Sequence, residues 1–300
     1  MNDTVNDIVN DTANPAPIPA PPLPPLREVI ARHGLDARKA LGQHFLLDAN
    51  LTDRIARAAG DLGQGTVIEI GPGPGGLTRS LLAAGARRLV AVERDPRCRP
   101  VVEELAAAYA GRAEVRLIEA DALTVSLAEL GPPPRRVVAN LPYNVGTPLL
   151  VGWLSQASQL ATMVLMFQRE VAERLTAEPG GKTYGRLSVL THWLCHAEAL
   201  FDVNPRAFTP PPKVWSRVVR LTPRPELPPA EDIAAMARLT QAAFGQRRKM
   251  LKSSLKSLAP GGDGEALCRA AGLDPTARAE TLGVADFTAL LRRLPPPGLS

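Results

Sequence analysis

A glycine-rich loop followed by two acidic residues is the first group in the sequence that could bind a ligand. Three glycines after the apolar run TVIEI (66–70) have the spacing G-x-G-x-x-G: Gly71, Gly73 and Gly76. Glycine permits a tight turn and lets a ligand approach the backbone where a Cβ atom would clash. Glu93 ends the next apolar run, where a carboxylate can accept hydrogen bonds from both ribose hydroxyls of an adenosine cofactor. Asp121 follows the third run, where it could meet the adenine amine.

The loop does not by itself identify the cofactor. NAD, FAD and S-adenosylmethionine (SAM) sites share this pattern, and a tight turn without a ligand is the structural alternative. The position of the loop between a predicted strand and a predicted helix, with Glu93 22 residues after Gly71, favours an adenosine cofactor.

A second motif, Asn140-Leu141-Pro142-Tyr143, follows the fourth apolar run. Pro142 restricts the backbone, so that the Asn140 amide and the Leu141 carbonyl can point into one pocket, and Tyr143 adds a flat stacking surface. Two acceptors beside an aromatic ring suit an amine on a planar base. Accepting both N–H groups favours a tetrahedral nitrogen, whose lone pair can then attack an electrophilic methyl group. The two motifs together indicate SAM-dependent amine methylation rather than hydride transfer.

The elements that must position these residues alternate between strand and helix patterns. This alternation predicts a doubly wound, Rossmann-like α/β sheet, with an antiparallel hairpin from 198–203 and 214–222 at one edge. A proline-rich linker at 223–232 precedes a wholly helical pattern. We therefore predict a disordered proline-rich tail (1–26), a methyltransferase domain (27–225) and a small helical RNA-binding domain (226–300).

Composition narrows the class of protein. Hydrophobic residues make up 45% of the 300 residues, which is enough for a sizeable core. The first 26 residues contain three acidic and no basic residues, so the remainder carries a formal charge of +8, as expected for a polyanionic partner. The three cysteines are widely spaced and the apolar stretches are interrupted by polar residues and prolines. We expect no disulfide framework, no membrane span and a cytoplasmic location.

Two clusters of polar residues allow further interpretations. His192 and His196 have helical spacing that could direct both to one metal, but a packed helix is favoured and no metal site is expected. In the run 243–258, a continuous helix would place a basic stripe of Arg248, Lys252 and Lys256 beside an apolar face, with Lys249 on the far side. A solvated surface helix and a phosphate-binding surface are both compatible with this stripe. The net positive charge of the chain after residue 26 favours RNA binding.

The sequence resembles the ribosomal RNA adenine N6,N6-dimethyltransferases, specifically the bacterial small-subunit enzymes. The matching segments occur in the family's order across residues 41–251: LGQHFLLD (41–48), VIEIGPGPGGLT (67–78), AVERD (91–95), EADAL (119–123), NLPYNVGTPLL (140–150), FQREVAERL (167–175), YGRLSVL (184–190), AFTPPPKV (207–214) and FGQRRKML (244–251). The resemblance implies a Rossmann-like methyltransferase domain with a small helical domain.

The resemblance also implies roles for individual residues. His44 and Leu46 should border the cofactor, and four residues should contact SAM: Gly71, Glu93, Asp121 and Asn140. Asn140, Leu141 and Tyr143 should hold the target adenine, with Phe208 stacking on its other face. His44 stands where many relatives have Asn, and Trp215 stands where the family usually has an acidic residue.

We therefore expect methyl transfer to N6 of two adjacent adenosines in small-subunit ribosomal RNA, within a pre-ribosomal particle, by a monomeric enzyme. Two alternatives within the same fold are a large-subunit adenine methyltransferase and a non-catalytic RNA-binding assembly factor. An NAD oxidoreductase is a further alternative. The intact Asn140-Leu141-Pro142-Tyr143 motif argues against the two non-methylating functions.

Overall fold

The computed structural model describes residues 21–37, 43–246 and 248–295. Its helices are α1 (Leu26–Arg32), α2 (Ala49–Ala58), α3 (Gly76–Ala83), α4 (Arg99–Ala108), α5 (Gly146–Leu154), α6 (Arg169–Leu175), α7 (Arg186–Leu194), α8 (Ala230–Gly245), α9 (Leu251–Ser254), α10 (Gly264–Ala270) and α11 (Val284–Leu291). Its strands are β1 (Phe45–Leu46), β2 (Thr66–Ile70), β3 (Arg88–Glu93), β4 (Glu114–Glu119), β5 (Arg135–Asn140), β6 (Leu160–Gln168), β7 (Cys195–Val203), β8 (Phe208–Thr209) and β9 (Ser216–Pro223). No helix among these is long and apolar enough to cross a membrane.

The main sheet has the strand order β4-β3-β2-β5-β6-β9-β7. The first five of these strands are parallel, and β9 and β7 form an antiparallel hairpin at the edge. The central strand β2 is buried along its whole length, as a strand covered by helices on both faces must be. The predicted doubly wound sheet and its edge hairpin are therefore confirmed.

The order of the strands brings the two sequence motifs together. β2 and β5 are direct neighbours, with Ile70 beside Ala139, so the glycine loop and the Asn140 motif begin at the same carboxyl edge. A small second sheet adds a third segment: β1 pairs with β8, which places Leu46 opposite Phe208. Residues far apart in the sequence thus converge where open α/β sheets bind ligands.

The C-terminal helices pack on the α/β region through α7, which both α8 and α11 contact. One continuous apolar cluster includes Val137 of β5, Leu190 of α7 and Phe287 of α11. Across the boundary the Tyr184 hydroxyl donates to the Leu282 carbonyl at 2.8 Å. A helical C-terminal region is present as expected, although the buried cluster is shared; its role as an RNA-binding domain stays a prediction.

Three local predictions are wrong. Gln246 and residues 248–250, between α8 and α9, are not helical, and the Leu251 and Lys252 amides donate to the Ala277 and Pro275 carbonyls instead of continuing the α8 ladder. The predicted stripe of Arg248, Lys252 and Lys256 therefore does not lie on one helix, although Leu251 and Leu255 are buried as expected.

His192 and His196 do not share a helix face either, because α7 ends at Leu194 and His196 lies in β7. The described residues contain no group of three potential metal ligands.

The predicted tail also ends earlier than expected. Residues 1–20 lie outside the described residues, but Leu26 already begins α1. Just before it, the Pro24 carbonyl accepts a hydrogen bond from Arg79 at 2.7 Å, and Leu23 packs against buried apolar residues. Residues 23–26 therefore belong to the folded body.

Candidate active site

A cleft at the carboxyl edge of the sheet brings most of the predicted site residues together. Its lining comes from the segment around β1, the glycine loop, the end of β3 and the motif after β5. The predicted residues among the lining are His44, Leu46, Gly71, Glu93, Asn140, Leu141 and Tyr143.

The glycines shape the floor of this cleft in two different ways. Gly71 and Gly73 have φ values of 72° and 53°, which side chains disfavour, and nothing lies within 4 Å of a Cβ placed on Gly71. This open space lets a ligand reach the backbone. Gly76 is helical, but a Cβ there would lie 2.8 Å from the Leu46 carbonyl oxygen. The last glycine of the motif therefore allows β1 to approach the start of α3.

The Glu93 carboxylate is held in place by the turn that follows its own strand. Its Oε1 accepts hydrogen bonds from the backbone amides of Arg94 at 2.8 Å and Asp95 at 2.9 Å. Burial raises the pKa of Glu93, and these amides partly offset that effect. Two donors on one oxygen fix the orientation of the carboxylate and are consistent with the other oxygen serving a ribose.

The Asn140 side chain is oriented by the segment that contains His44. Its Nδ2 donates to the backbone carbonyl of His44 at 3.1 Å. Because the amide nitrogen is engaged, Oδ1 is the atom left to accept a hydrogen bond from a substrate amine. The backbone beyond Asn140 is fixed as well, since the Pro142 carbonyl accepts from the Val145 and Gly146 amides that lead into α5.

The two predicted base-stacking rings both lie beside His44, but Tyr143 lines the cleft whereas Phe208 is 3% exposed and does not line it. The Tyr143 hydroxyl lies 2.6 Å from the Ser216 Oγ, which anchors the ring to β9. The His44 ring centroid is 5.7 Å from that of Tyr143 and 6.5 Å from that of Phe208. His44 Nδ1 lies 2.7 Å from the Pro210 carbonyl oxygen. His44 therefore contacts the two predicted base-stacking residues as well as lining the cofactor cleft.

Asp121 lies at the end of β4, but it does not line the cleft. Its Oδ1 caps the following turn by accepting from the Leu123 amide at 3.0 Å. Its Oδ2 lies 3.7 Å from Arg94 Nη1, and Arg94 does line the cleft. Its predicted contact with the adenine stays a prediction.

Glu69 is a cleft residue that the sequence analysis missed. It lies in the middle of β2, is 1% exposed, and its Oε2 has no hydrogen-bond partner among the described residues. Burial and the nearby Glu93 carboxylate raise the pKa of Glu69 to about 8, against a smaller lowering by Thr78. A buried acceptor without a partner, facing a cleft, suits a cationic ligand group. The available signal was an acidic residue inside the otherwise apolar strand TVIEI.

The predicted RNA-binding residues form a separate region after α8. Arg248, Lys249 and Lys256 are exposed and have no ion pair among the described residues. Lys252 differs, because its Nζ lies 2.9 Å from Glu265 Oε2 in a partly exposed ion pair.

Comparisons with known proteins agree with this geometry. The sequence profile of the ribosomal RNA adenine dimethylase family matches residues 34–294. Ribosomal RNA small subunit methyltransferase A of Rhodospirillum rubrum is 66% identical over 277 residues, which are 92% of this chain and 94% of that protein. The enzyme of the same name from Paramagnetospirillum magneticum is 62% identical over 273 residues, covering 91% and 95%.

Two solved structures share the fold. A dimethyladenosine transferase from Plasmodium falciparum superposes with a TM-score of 0.67 at 27% identity, covering 82% of this chain and 96% of that one. The 23S rRNA methyltransferase ErmE superposes with a TM-score of 0.62 at 30% identity, covering 83% and 99%. The profile match and the identities above 60% show that the chain belongs to the ribosomal RNA adenine dimethylase family.

Proposed function

We propose that this protein transfers methyl groups from SAM to N6 of two adjacent adenosines in small-subunit (16S) ribosomal RNA, giving N6,N6-dimethyladenosine. The observation that carries the proposal is the Asn140 side chain. Its Nδ2 donates to the His44 carbonyl, so its Oδ1 is available to accept a hydrogen bond in the cleft that Tyr143 also lines. The names of the relatives above, which specify the small subunit, support the choice of RNA.

The cleft residues fit SAM. Glu93 offers one carboxylate oxygen to the ribose, and Gly71 leaves room for the cofactor along the loop. The Glu69 Oε2 atom has no hydrogen-bond partner among the described residues, and the cationic amino acid portion of SAM can neutralise this carboxylate. Two further residues complete the proposed SAM contacts. Asp121 would face the adenine, and Leu46 would line the wall of the cleft. When bound, SAM supplies an electrophilic methyl group on a sulfonium.

The chain's own residues then prepare the nucleophile. The N6 lone pair of adenine is delocalised into its ring, so the free amine attacks poorly. Asn140 Oδ1 and the Leu141 carbonyl accept its two N–H groups, which favours the tetrahedral nitrogen that has a localised lone pair. Tyr143 and Phe208 hold the base by stacking, which contributes about 1–3 kcal/mol per base. A sulfonium methyl needs no strong base before attack. As the new N–C bond formed, the S–CH3 bond would break and leave a neutral thioether, and the cationic nitrogen would then lose its proton to solvent.

The partner we propose is small-subunit RNA in a pre-ribosomal particle, bound by a cytoplasmic monomer. Arg248, Lys249 and Lys256 support RNA contact, since exposed cations without carboxylate partners can neutralise phosphates. Lys252 belongs to the same basic segment, but its charge is shared with Glu265.

The experiment is incubation with methyl-labelled SAM and undermethylated small subunits, followed by mass spectrometry of RNA digests. We expect labelled N6,N6-dimethyladenosine in the small-subunit RNA. Large subunits serve as the comparison substrate, because the similarity to the 23S rRNA methyltransferase ErmE makes large-subunit RNA the second candidate for methylation. Label confined to the large subunit would reject the choice of RNA. Absence of label in both, with RNA still bound, would favour a non-catalytic assembly factor.

A further inference from the structure

The loop that joins β8 to β9 presents two exposed apolar side chains. Val214 is 44% exposed and Trp215 is 45% exposed, whereas Trp153 of α5 is 3% exposed. The loop is built on three consecutive prolines, of which Pro212 is buried. Proline fixes the backbone dihedral φ, so this loop holds its exposed residues with little conformational freedom. A tryptophan exposed on this loop offers a flat apolar face that a planar partner can cover.

This loop lies on the same edge of the sheet as the acceptor Asn140. Asn140 pairs with β6, and at the carboxyl end of β6 Gln168 pairs with Ser216, the first residue of β9. Two inter-strand steps of about 4.8 Å therefore separate the end of β5 from the start of β9. Ser216 also contacts the Tyr143 hydroxyl. Trp215 thus immediately precedes a residue that touches the stacking surface for the target base.

The surroundings of Trp215 suit a nucleotide. Its backbone carbonyl accepts from the Arg169 amide at 2.9 Å, which fixes the position of the residue at the strand end. Lys213, two residues earlier, is exposed and has no ion pair among the described residues. An indole ring offers a stacking face to any base, and a neighbouring ammonium group can pair with its phosphate.

We propose that Trp215 stacks on the base that adjoins the target adenine, with Lys213 contacting the adjoining phosphate. The inference rests on the proposed function, which makes this neighbouring base the second adenine of the pair. Trp215 is accordingly a substrate-positioning residue and takes no part in the chemical step.

The test compares Trp215→Ala with Trp215→Phe in steady-state methylation of undermethylated small subunits. We expect KM for the subunits to rise about five- to hundredfold in Trp215→Ala, with kcat changed less and SAM affinity unchanged. Trp215→Phe should recover most of the loss because the aromatic face remains. Tryptophan fluorescence titrated with undermethylated small-subunit RNA should be quenched in the wild-type protein, and Trp215→Phe should lose that quenching.

Lys213→Ala is the matched control on the same loop. Its loss of affinity should decrease with rising salt, whereas that of Trp215→Ala should persist, since stacking releases no counterions. Wild-type KM and unchanged quenching in the Trp215 variants, with an active wild-type enzyme, would overturn this inference alone. A wild-type enzyme that methylates neither subunit would instead reject the proposed function.

Discussion

Two key side chains of the cofactor cleft, Glu93 and Asn140, are held by backbone groups, whereas most of the cations after α8 are exposed side chains without such support. Glu93 accepts from two amides and Asn140 donates to a carbonyl. Arg248 and Lys256 are exposed without ion pairs among the described residues. Methyl transfer requires reacting atoms at fixed distances, so its residues must be preorganised. Attraction of a polyanion depends on charge and less on position, so its residues need no such support.

Removal of the Asn140 side chain should have the largest effect. We expect Asn140→Ala to abolish methyl transfer even at saturating SAM, because nothing then holds the target nitrogen in its tetrahedral form. Single-turnover assays with undermethylated small subunits measure this step. RNA binding should remain, because the cations after α8 are untouched.

Asn140→Asp provides the control for this variant. It keeps an acceptor oxygen but cannot donate to the His44 carbonyl, so its orientation is weakened. We expect measurable residual activity, greater than that of Asn140→Ala. Full activity in Asn140→Ala would refute the acceptor mechanism.

Glu69 should make the unliganded protein less stable as pH rises. Its pKa is about 8 in the folded protein and near 4.5 when unfolded, so the folded state binds the extra proton between these values. The stability contributed by the protonated form is fully present below pH 4.5 and is lost as pH approaches 8, by at most about 1.4 kcal/mol per pH unit. Denaturant unfolding of the wild type and Glu69→Gln at pH 5, 6.5 and 8 measures this.

The free energy of unfolding of Glu69→Gln should increase relative to that of the wild type as pH rises. Glu93 contributes in the same direction, since burial also raises its pKa, and it is present in both proteins, so the difference reports Glu69 together with its coupling to Glu93. A difference that is constant with pH would show that Glu69 is not protonated in the fold.

Loss of the Glu93 charge should weaken SAM binding by about 1–3 kcal/mol, the cost of losing charged hydrogen bonds. Glu93→Gln is sharper than Glu93→Ala, because a glutamine carbonyl can still accept from the Arg94 and Asp95 amides. Only the oxygen proposed to serve the ribose is replaced. Calorimetric titration with SAM gives the affinity, and wild-type affinity in a folded variant would remove Glu93 from the cofactor site.

The two regions also differ in how far they could be predicted from the sequence. Strands β2, β3 and β5 coincide with the apolar runs at 66–70, 88–93 and 135–140, because a buried parallel strand leaves a continuous apolar signal. The ends of those strands place the glycine loop and Asn140 side by side. The family resemblance implied that Asn140, Glu93 and Gly71 share one cofactor site, and all three line the same cleft.

Features that depend on contacts between distant segments could not be predicted in this way. The helix break before Leu251 depends on carbonyls at 275 and 277, which helical periodicity does not register. The contact of His44 with Tyr143 and Phe208 depends on the pairing of two short strands, β1 and β8. Glu69 was missed because an acidic residue inside an apolar strand does not by itself show that its carboxyl group is buried with an unpartnered oxygen among the described residues.

Neutralising the exposed cations should weaken RNA binding without affecting the cleft. For the variant Arg248→Ala/Lys249→Ala/Lys256→Ala, the slope of log affinity against log salt should be shallower by about two, because each phosphate that the protein neutralises adds about 0.7–0.9 to that slope. Filter binding of small subunits over a range of salt concentrations gives the slope, and SAM affinity should be unchanged. A wild-type slope would mean that this segment is only a solvated surface and that docking uses the catalytic domain.

The smallest effect should come from Lys252, which distinguishes a paired cation from a free one. Its ammonium lies 2.9 Å from Glu265, whose pKa it lowers, and Arg269 binds the other oxygen of that carboxylate at 2.6 Å. To contact a phosphate, Lys252 would have to leave Glu265. Lys252→Ala should therefore reduce the slope of log affinity against log salt by less than about 0.7, and by less than Lys256→Ala does. Parallel titrations of the two single variants make the comparison. If both single variants reduced the slope by the same amount, RNA would have to displace Glu265 from Lys252. The whole basic segment would then act as one electrostatic surface.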